Sequence, residues 1–279
     1  MASDDDDVVD DAALLRRSVR NYGELMAAVG RYGVGPHAEV RQRGLLGAHI
    51  PASRNAWLGC CVVPMGETPD DDDAAKRPYC VWSAEAPVPG RVEQPAYAMP
   101  CMGLLLGEPA LQRHWAELVR RGTTHPDDAA LACATPTPGD VADLNELAYV
   151  GHTGGLLGRV MRALERGLAA DGRLKLHGLR AGGPGAPFLC VAITLQQDDD
   201  VGLHYVATAA AARRHGLATA LLSRILLDAA TAGGPLRTAT LQATAAGAGV
   251  YRRLGFRDVG VLRAYLLPDP PTEGGVGAS

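Results

Sequence analysis

Lysine is almost missing from this chain of 279 residues. It stands only at Lys76 and Lys175, so arginine carries nearly all the positive charge, and the formal net charge is −4. That balance gives no general attraction to nucleic acid or to an anionic membrane, so any anion binding must be local. No apolar run reaches membrane-spanning length. The first residues, MASDDDDVVDD, are acidic and resemble neither the basic start of a signal peptide nor an Arg-rich transit sequence. A cytoplasmic protein is expected, with its six cysteines reduced and mostly packed in apolar stretches such as WLGCCVVP and FLCVAI. No CxxC or HExxH pattern occurs, so no metal site is expected. The absence of GxxxxGK[ST] removes the nucleotide-hydrolase reading.

What is present is apolar enough, at 47% hydrophobic, for one large core or two modest ones. After an acidic tail over 1–11, Leu15, Val19, Tyr22, Met26 and Val29 repeat at helical spacing and predict an amphipathic helix with one apolar face. HAEVRQ, LLGAHIP, NAWLGCCVVP and YCVWSAEAP read as short strands, the last two separated by an Asp-rich loop. A polar break places a domain boundary near Asp128, giving an N-terminal domain over 12–128, a second domain over 129–268 and a tail over 269–279. In the second domain PTPGDVADLNELAY and GLLGRVMRALERGLAA read as helices. KLHGLRA, PFLCVAITL and VGLHYVAT read as strands, the first two joined by the turn GGPGA. Strand RTATLQA, a short helix around AGVYRRLGF and strand VGVLRAYLL complete a mixed-sheet α/β domain.

The stretch RRHGLATALL, Arg213 to Leu222, sets cations and a glycine where a helix begins, although the helix dipole there favours anions. An external anion resolves the conflict: unpaired N–H groups at the helix start hold phosphate oxygens, Gly216 permits close approach, and Arg213 and Arg214 add charge-assisted contacts. GAGVYR, from Gly247, begins like a dinucleotide fingerprint but lacks its third glycine.

VATAAAARRHGLATALLSRIL resembles the acyl-CoA pyrophosphate loop of the GNAT superfamily of N-acetyltransferases, with its [RQ]xxGx[GA] pattern. LQATAAGAGVYRRLGF resembles that superfamily's later motif, in which a tyrosine is followed four residues on by Gly-Phe, here Tyr251, Gly255 and Phe256. The resemblance covers roughly Leu131 to Pro268 and departs from the family in the alanines Ala209 to Ala212 and in Thr244, where the family often has Asn. More faintly, the first half resembles the degenerate amino-terminal half of tandem GNAT proteins, through SRNAWLGCC, YCVWSAEAP and the segment ending near MPCMGLLL. It implies a smaller GNAT-like pseudo-domain without a pyrophosphate loop, which shapes the substrate cleft or an oligomer interface such as a homodimer.

The resemblance implies acetyl-CoA as co-substrate, bound by Val206 and Ala207 at a strand end and by the loop Arg213, Arg214, His215, Gly216, Leu217, Ala218 and Thr219. It implies Tyr251 as general acid; the alternative is a ring that merely packs beneath Phe256. VGLHYVAT carries no carboxylate, so His204 is the base candidate in that strand, with a structural histidine as the competing reading. Glu85, Glu146 and Glu165 are unranked beside it. The implied reaction moves an acetyl group to an amine, expected to be a small molecule, by direct attack in a ternary complex. The competing class is a CoA-binding pseudoenzyme that senses acyl-CoA or scaffolds a partner.

Overall fold

The structure, a computed structural model, describes residues 9–32, 38–42, 44–49, 60–67, 79–85, 87–121, 131–148, 161 and 172–267. The C-terminal tail, the boundary residue Asp128, most of the acidic tail and the Asp-rich loop, and the helix expected over 155–170 apart from Met161 lie outside them.

The opening periodicity produces helix α1 (Asp11–Tyr32), followed by strands β1 (Ala38–Gln42), β2 (Leu45–His49), β3 (Cys61–Val62), β4 (Cys80–Ser83) and β5 (Val92–Leu105). Helix α2 (Pro109–Arg121), strand β6 (Leu131–Ala134), helix α3 (Pro138–Ala148) and strands β7 (Leu174–Ala181), β8 (Phe188–Gln197) and β9 (Asp200–Thr208) come next. Helix α4 (Leu217–Thr231), strand β10 (Thr238–Gln242), helix α5 (Ala248–Arg253) and strand β11 (Arg257–Leu266) end the described chain.

The eleven strands among the described residues join one mixed sheet, in the order β1-β2-β3-β4-β11-β5-β10-β9-β8-β7-β6. Two runs of this order repeat one pattern. β1, β2 and β3 pair antiparallel and β3 then pairs parallel with β4; β7, β8 and β9 pair antiparallel and β9 then pairs parallel with β10. The halves then exchange their last strands: β5 of the first pairs with β10 of the second, and β11 of the second pairs with β4 of the first. β5 and β11 pair with each other between them. The division near residue 128 thus follows the order of the chain, while the hydrogen-bond ladder runs through both halves.

Helix α1 departs from the one-faced helix that its spacing predicts. Val19, Tyr22, Met26 and Val29 are buried as expected, but Leu15 is only half-buried while Leu14 beside it is enclosed, and every residue from Asn21 to Gly30 is buried too. The helix contacts strands of both halves, from β1 and β2 to β8, β9 and β10. A helix enclosed on all sides must satisfy its polar groups internally. Glu24 takes a bidentate pair from Arg41 of β1, with Nη1 and Nη2 at 2.7 and 2.6 Å. Ser18 donates to the Leu241 carbonyl at 3.1 Å, and Gln242 Nε2 donates to its hydroxyl at 2.8 Å.

Asn21 closes the network. Its Nδ2 donates to the Leu195 carbonyl at 3.2 Å and to Asp200 Oδ2 at 2.9 Å, so its Oδ1 must be the acceptor facing His204 Nε2 at 2.9 Å. Asp200 also accepts from Thr238 Oγ1 at 2.8 Å and Thr240 Oγ1 at 2.7 Å. Burial still dominates and pushes its carboxyl up to about 6. Gly202 is what admits Asn21, because a Cβ there would overlap the amide. Replacing Asn21 with Leu leaves a buried carboxyl and an imidazole N–H short of partners. The expected cost is about 3 kcal/mol, read as a lowered urea midpoint at unchanged m-value; a midpoint within error of the parent would contradict this account of α1.

Candidate active-site cleft

The same strands that α1 clamps at one end separate at the other. β9 pairs with β10 from Asp200↔Thr238 to Leu203↔Leu241, and there the pairing stops, although β9 runs on to Thr208. An extra residue causes the divergence. Between Val191 and Ile193 the β8 register advances two residues while β9 advances three, from His204 to Ala207, and Tyr205 adopts φ 49°. Such a bulge bends its strand. Asn145 of α3 holds it by donating to the Tyr205 carbonyl at 3.1 Å and the Val141 carbonyl at 2.9 Å, and its own buried Oδ1 has no partner among the described residues.

Past β9 the chain makes one 3-10 turn, Ala210–Ala212, and enters α4 through two left-handed residues, Arg214 at φ 71° and Gly216 at φ 78°. Gly216 is the N-cap, and no side chain caps the helix. The first N–H groups of α4 are therefore left for a ligand. Arg213 Nε donates to the Thr208 carbonyl at 3.1 Å, which braces the loop against the strand end.

The facing wall comes from the β10–α5 turn. Thr244 Oγ1 accepts from Gly247 N at 3.1 Å, so threonine fixes this turn where the resembling family often has asparagine. Tyr251 packs edge-on against Phe256, with ring centroids 6.0 Å apart, and a Cβ on Gly247 would sit 3.3 Å from its Cε2.

Between these walls lies a cleft of about 980 Å3. It brings together Val206, Ala207, Arg213, Arg214, Gly216, Leu217, Ala218, Thr219 and Tyr251. His215 is exposed on the same loop but does not line it. The sequence reading missed the contribution of Leu118 and Arg121 from α2, and also Thr208 and Arg253. The spacing of Leu111, Trp115 and Leu118 is the signal that would have marked α2 as a helix, but nothing local ties it to the loop.

His204 corrects the expected base. Its ring is buried, 6% exposed, beneath α1, donates to Asn21 and lies 6.5 Å from the Tyr22 ring. Burial pulls its pKa down to about 3, so it is neutral and enclosed rather than poised at the cleft. Glu85 accepts from Gly66 N at 2.8 Å, far along the sheet in the first half. Glu146 stands half-buried on α3 outside the cleft lining, and Glu165 lies outside the described residues. Among the described residues lining the cleft there is no carboxylate or imidazole, whereas four arginines, 121, 213, 214 and 253, are present.

Residues 185–258, which hold the loop, α4, β10 and Tyr251, match the model of the acetyltransferase (GNAT) domain family. That stretch is similar to a GNAT domain. Over its full length the chain has the fold of tandem GNAT proteins. A tandem GNAT protein from the clavulanic acid biosynthesis pathway matches with a TM-score of 0.53 at 15% identity, covering 98% of each chain. A GCN5-related N-acetyltransferase from Kribbella flavida matches with a TM-score of 0.51 at 14% identity, covering 91% of this chain and 97% of that one. A functionally unknown conserved protein from Staphylococcus epidermidis matches with a TM-score of 0.52 at 10% identity, covering 81% and 92%. No curated protein matches the sequence. No helix among the described residues is long and apolar enough to cross a membrane, and they hold no metal-binding cluster.

The burial of His204 has a measurable consequence. Its folded pKa lies below the unfolded value near 6.5, so the stability it contributes is complete above pH 6.5 and is lost as pH falls. At pH 5 the loss is about 2 kcal/mol, from 1.5 units at 1.36 kcal/mol each. Asp200, with its raised value, acts in the opposite sense below pH 6 in parent and variant alike. His204→Gln keeps an N–H for Asn21 but cannot titrate. Between pH 7.5 and 5 the variant should gain about 2 kcal/mol on the parent in urea unfolding; parallel pH profiles would place the imidazole in water after all.

Proposed function

We propose that the chain is an acetyl-CoA-dependent N-acetyltransferase acting on an amine, a small molecule by preference, through direct attack in a ternary complex. The carrying observation is that one cleft joins an uncapped helix start with a left-handed glycine and two arginines to the ring of Tyr251. The residues suit the co-substrate on several counts. The helix start offers N–H groups and positive dipole to a pyrophosphate. The open edge of β9 from Val206 to Thr208 offers backbone groups to an amide-bearing arm. Asn145 Oδ1, buried beside the bulge with no partner among the described residues, is an acceptor in want of an N–H.

Acetyl-CoA supplies the activated acyl group as a thioester. The chain's part is positioning and proton control. Arg214, Gly216, Ala218 and Thr219 hold the pyrophosphate, with Arg213, His215 and Leu217 completing the loop. The strand edge fixes the arm and aims a backbone N–H at the developing oxyanion. Tyr251 holds a phenolic proton at the site and gives it to the departing thiolate as the C–S bond breaks. An amine that enters neutral forms its N–C bond without a base and afterwards loses its proton to solvent or to the Tyr251 phenolate, which restores the phenol. That sequence suits a cleft whose described lining is cationic, since a charged ammonium is disfavoured there.

The same lining is the observation that favours the second reading, a sensor that binds acyl-CoA without turnover. Two variants separate the outcomes. Gly216→Glu puts a side chain and a negative charge at the left-handed N-cap, and should abolish acetyl-CoA binding by calorimetry while the parent binds at one site. Tyr251→Phe should keep the dissociation constant within about twofold and lower acceptor-dependent thiol release roughly 10² to 10⁴-fold. A folded parent that does not bind acetyl-CoA would falsify the whole reading. Binding without thiol release across an amine panel, in parent and variant alike, selects the sensor.

A further inference from the structure

A second cleft, of about 780 Å3, lies at the start of β9, the end that Asn21 and Asp200 close. From Asp200 to Val206 the strand runs about 20 Å at 3.3 Å per residue, so this cleft is separate from the one beside α4. Segments of both halves build it: the N-terminal half of α1, the β1–β2 hairpin, the turn Pro64–Glu67 that follows β3, and the turn between β8 and β9. The repeat within the fold accounts for its place. β3 pairs parallel with β4 as β9 does with β10, so Pro64 leaves the end of β3 where, in the second half, the chain leaves β9. In the first half the two strand ends stay tied, because Glu85 beyond β4 accepts from Gly66 N beyond β3 at 2.8 Å. No residue of β4 lines the cleft, which opens toward α1 instead.

Most of the charges in its lining are already matched. Arg41 is committed to Glu24 and Glu39, and Arg17 to Asp199 at 2.8 Å. Arg20 faces Asp198 at 3.3 Å, with both side chains more than half exposed. Arg16, one turn before Arg20 on the same face of α1, is exposed and has no partner among the described residues. Like charges at that spacing repel. Glu67, at the end of the turn after β3, is likewise exposed and without a partner among the described residues. The lining also has an apolar part, in which Leu45 and Leu46 are buried and Pro64 and Met65 half-buried. One cleft thus offers an unmatched cation, an unmatched carboxylate and an apolar wall.

We propose that this cleft is a binding site for a small molecule bearing both a carboxylate and an amine, the carboxylate set against Arg16 and Arg20 and the amine against Glu67. Two guanidinium groups one helical turn apart hold a carboxylate through charge-assisted hydrogen bonds, and its arrival relieves their repulsion. Glu67 accepts from the ammonium group in the same way. The occupant bridges α1 and the turn after β3, and through Arg20 it meets the β8–β9 turn of the second half. Its binding therefore adds a connection between the halves and favours the folded chain by mass action. Solvent screens the exposed side chains, which sets the expected dissociation constant at about 1 mM. Nothing in the assignment depends on the coenzyme A reading of the other cleft.

Calorimetric titration of the full chain with a series of ω-amino acids, from glycine to 6-aminohexanoate, tests the site, with butyrate and butylamine as probes of a single charge. At least one member should bind at one site with a dissociation constant of about 1 mM, at least tenfold more tightly than either single-charge probe, and should raise the urea midpoint. Arg16→Ala and Glu67→Gln, both at exposed positions, should each weaken that member about tenfold. Gly216→Glu, in the other cleft, should leave its binding unchanged. If no member binds the folded parent at about 10 mM, or none binds more tightly than butyrate and butylamine, the site is overturned. Binding that survives both Arg16→Ala and Glu67→Gln, or that is lost in Gly216→Glu, puts the probe elsewhere and overturns it too. None of these outcomes alters the acetyl-CoA titration, which stands or fails on its own.

Discussion

The amide of Asn21 is the contact on which the arrangement turns. It holds a carboxyl at the start of β9, an imidazole further along that strand and a carbonyl of β8, all from a helix belonging to the other half of the chain. Asp200 in turn accepts hydroxyls from Thr238 and Thr240 of β10 and so fixes the parallel pair β9 and β10 at the end where both are buried. A parallel pair pinned at one end opens only at the other. The bulge at Tyr205 and its hold by Asn145 take β9 away from β10 there, and the uncapped start of α4 stands over the gap. Polar closure at one end and polar exposure at the other are thus two consequences of one strand pair.

The exchange of β5 and β11 ties the first half of the chain to the second. With β5 between β10 and β11, the backbone groups on both edges of each strand are paired, and removing the first half would strip the second of the neighbour of β10 and of its enclosed helix. Unpaired strand edges and an exposed apolar face carry a cost that neither half escapes alone. The salt bridge of Arg17 to Asp199, at 2.8 Å, and the Arg17 contact to Thr238 cross between the halves at the same corner. One cooperative body is the physical outcome.

Local signals in the sequence carried the elements whose function is local. The cations and glycine before α4 stood out because the conflict with the helix dipole is visible within ten residues, and Tyr251 through the resemblance of its motif; the structure brings both to one cleft. The strands β7 to β10 were legible from alternation and turn chemistry. What failed was long-range. His204 alternates with Gly202, and only the approach of α1, 183 residues away, decides that this face is closed. The 14-residue strand β5 was not resolved because it contains Pro95 and Pro100, which argue against a central strand; the register shift between Arg263 and Ala264 absorbs the first, and the Pro100 carbonyl still accepts from Ala243 at 2.8 Å. β6 is four residues long with half its side chains exposed, too weak a pattern to read. Glu24 on α1 is matched by Arg41, a pairing no periodicity encodes.

The edge-on contact with Phe256 and the close floor at Gly247 hold the Tyr251 ring at a cleft wall. The same holds for Thr244, whose hydroxyl is committed to Gly247 and so shapes the turn that carries the tyrosine. On the other wall, Arg213 gives its Nε to the Thr208 carbonyl and thereby ties the loop to the bulged end of β9. Through Arg213 and the end of β9, the supports of this wall run back to Asp200 and Asn21. The enclosed polar cluster and the open cationic cleft are coupled by the rigidity of a single strand.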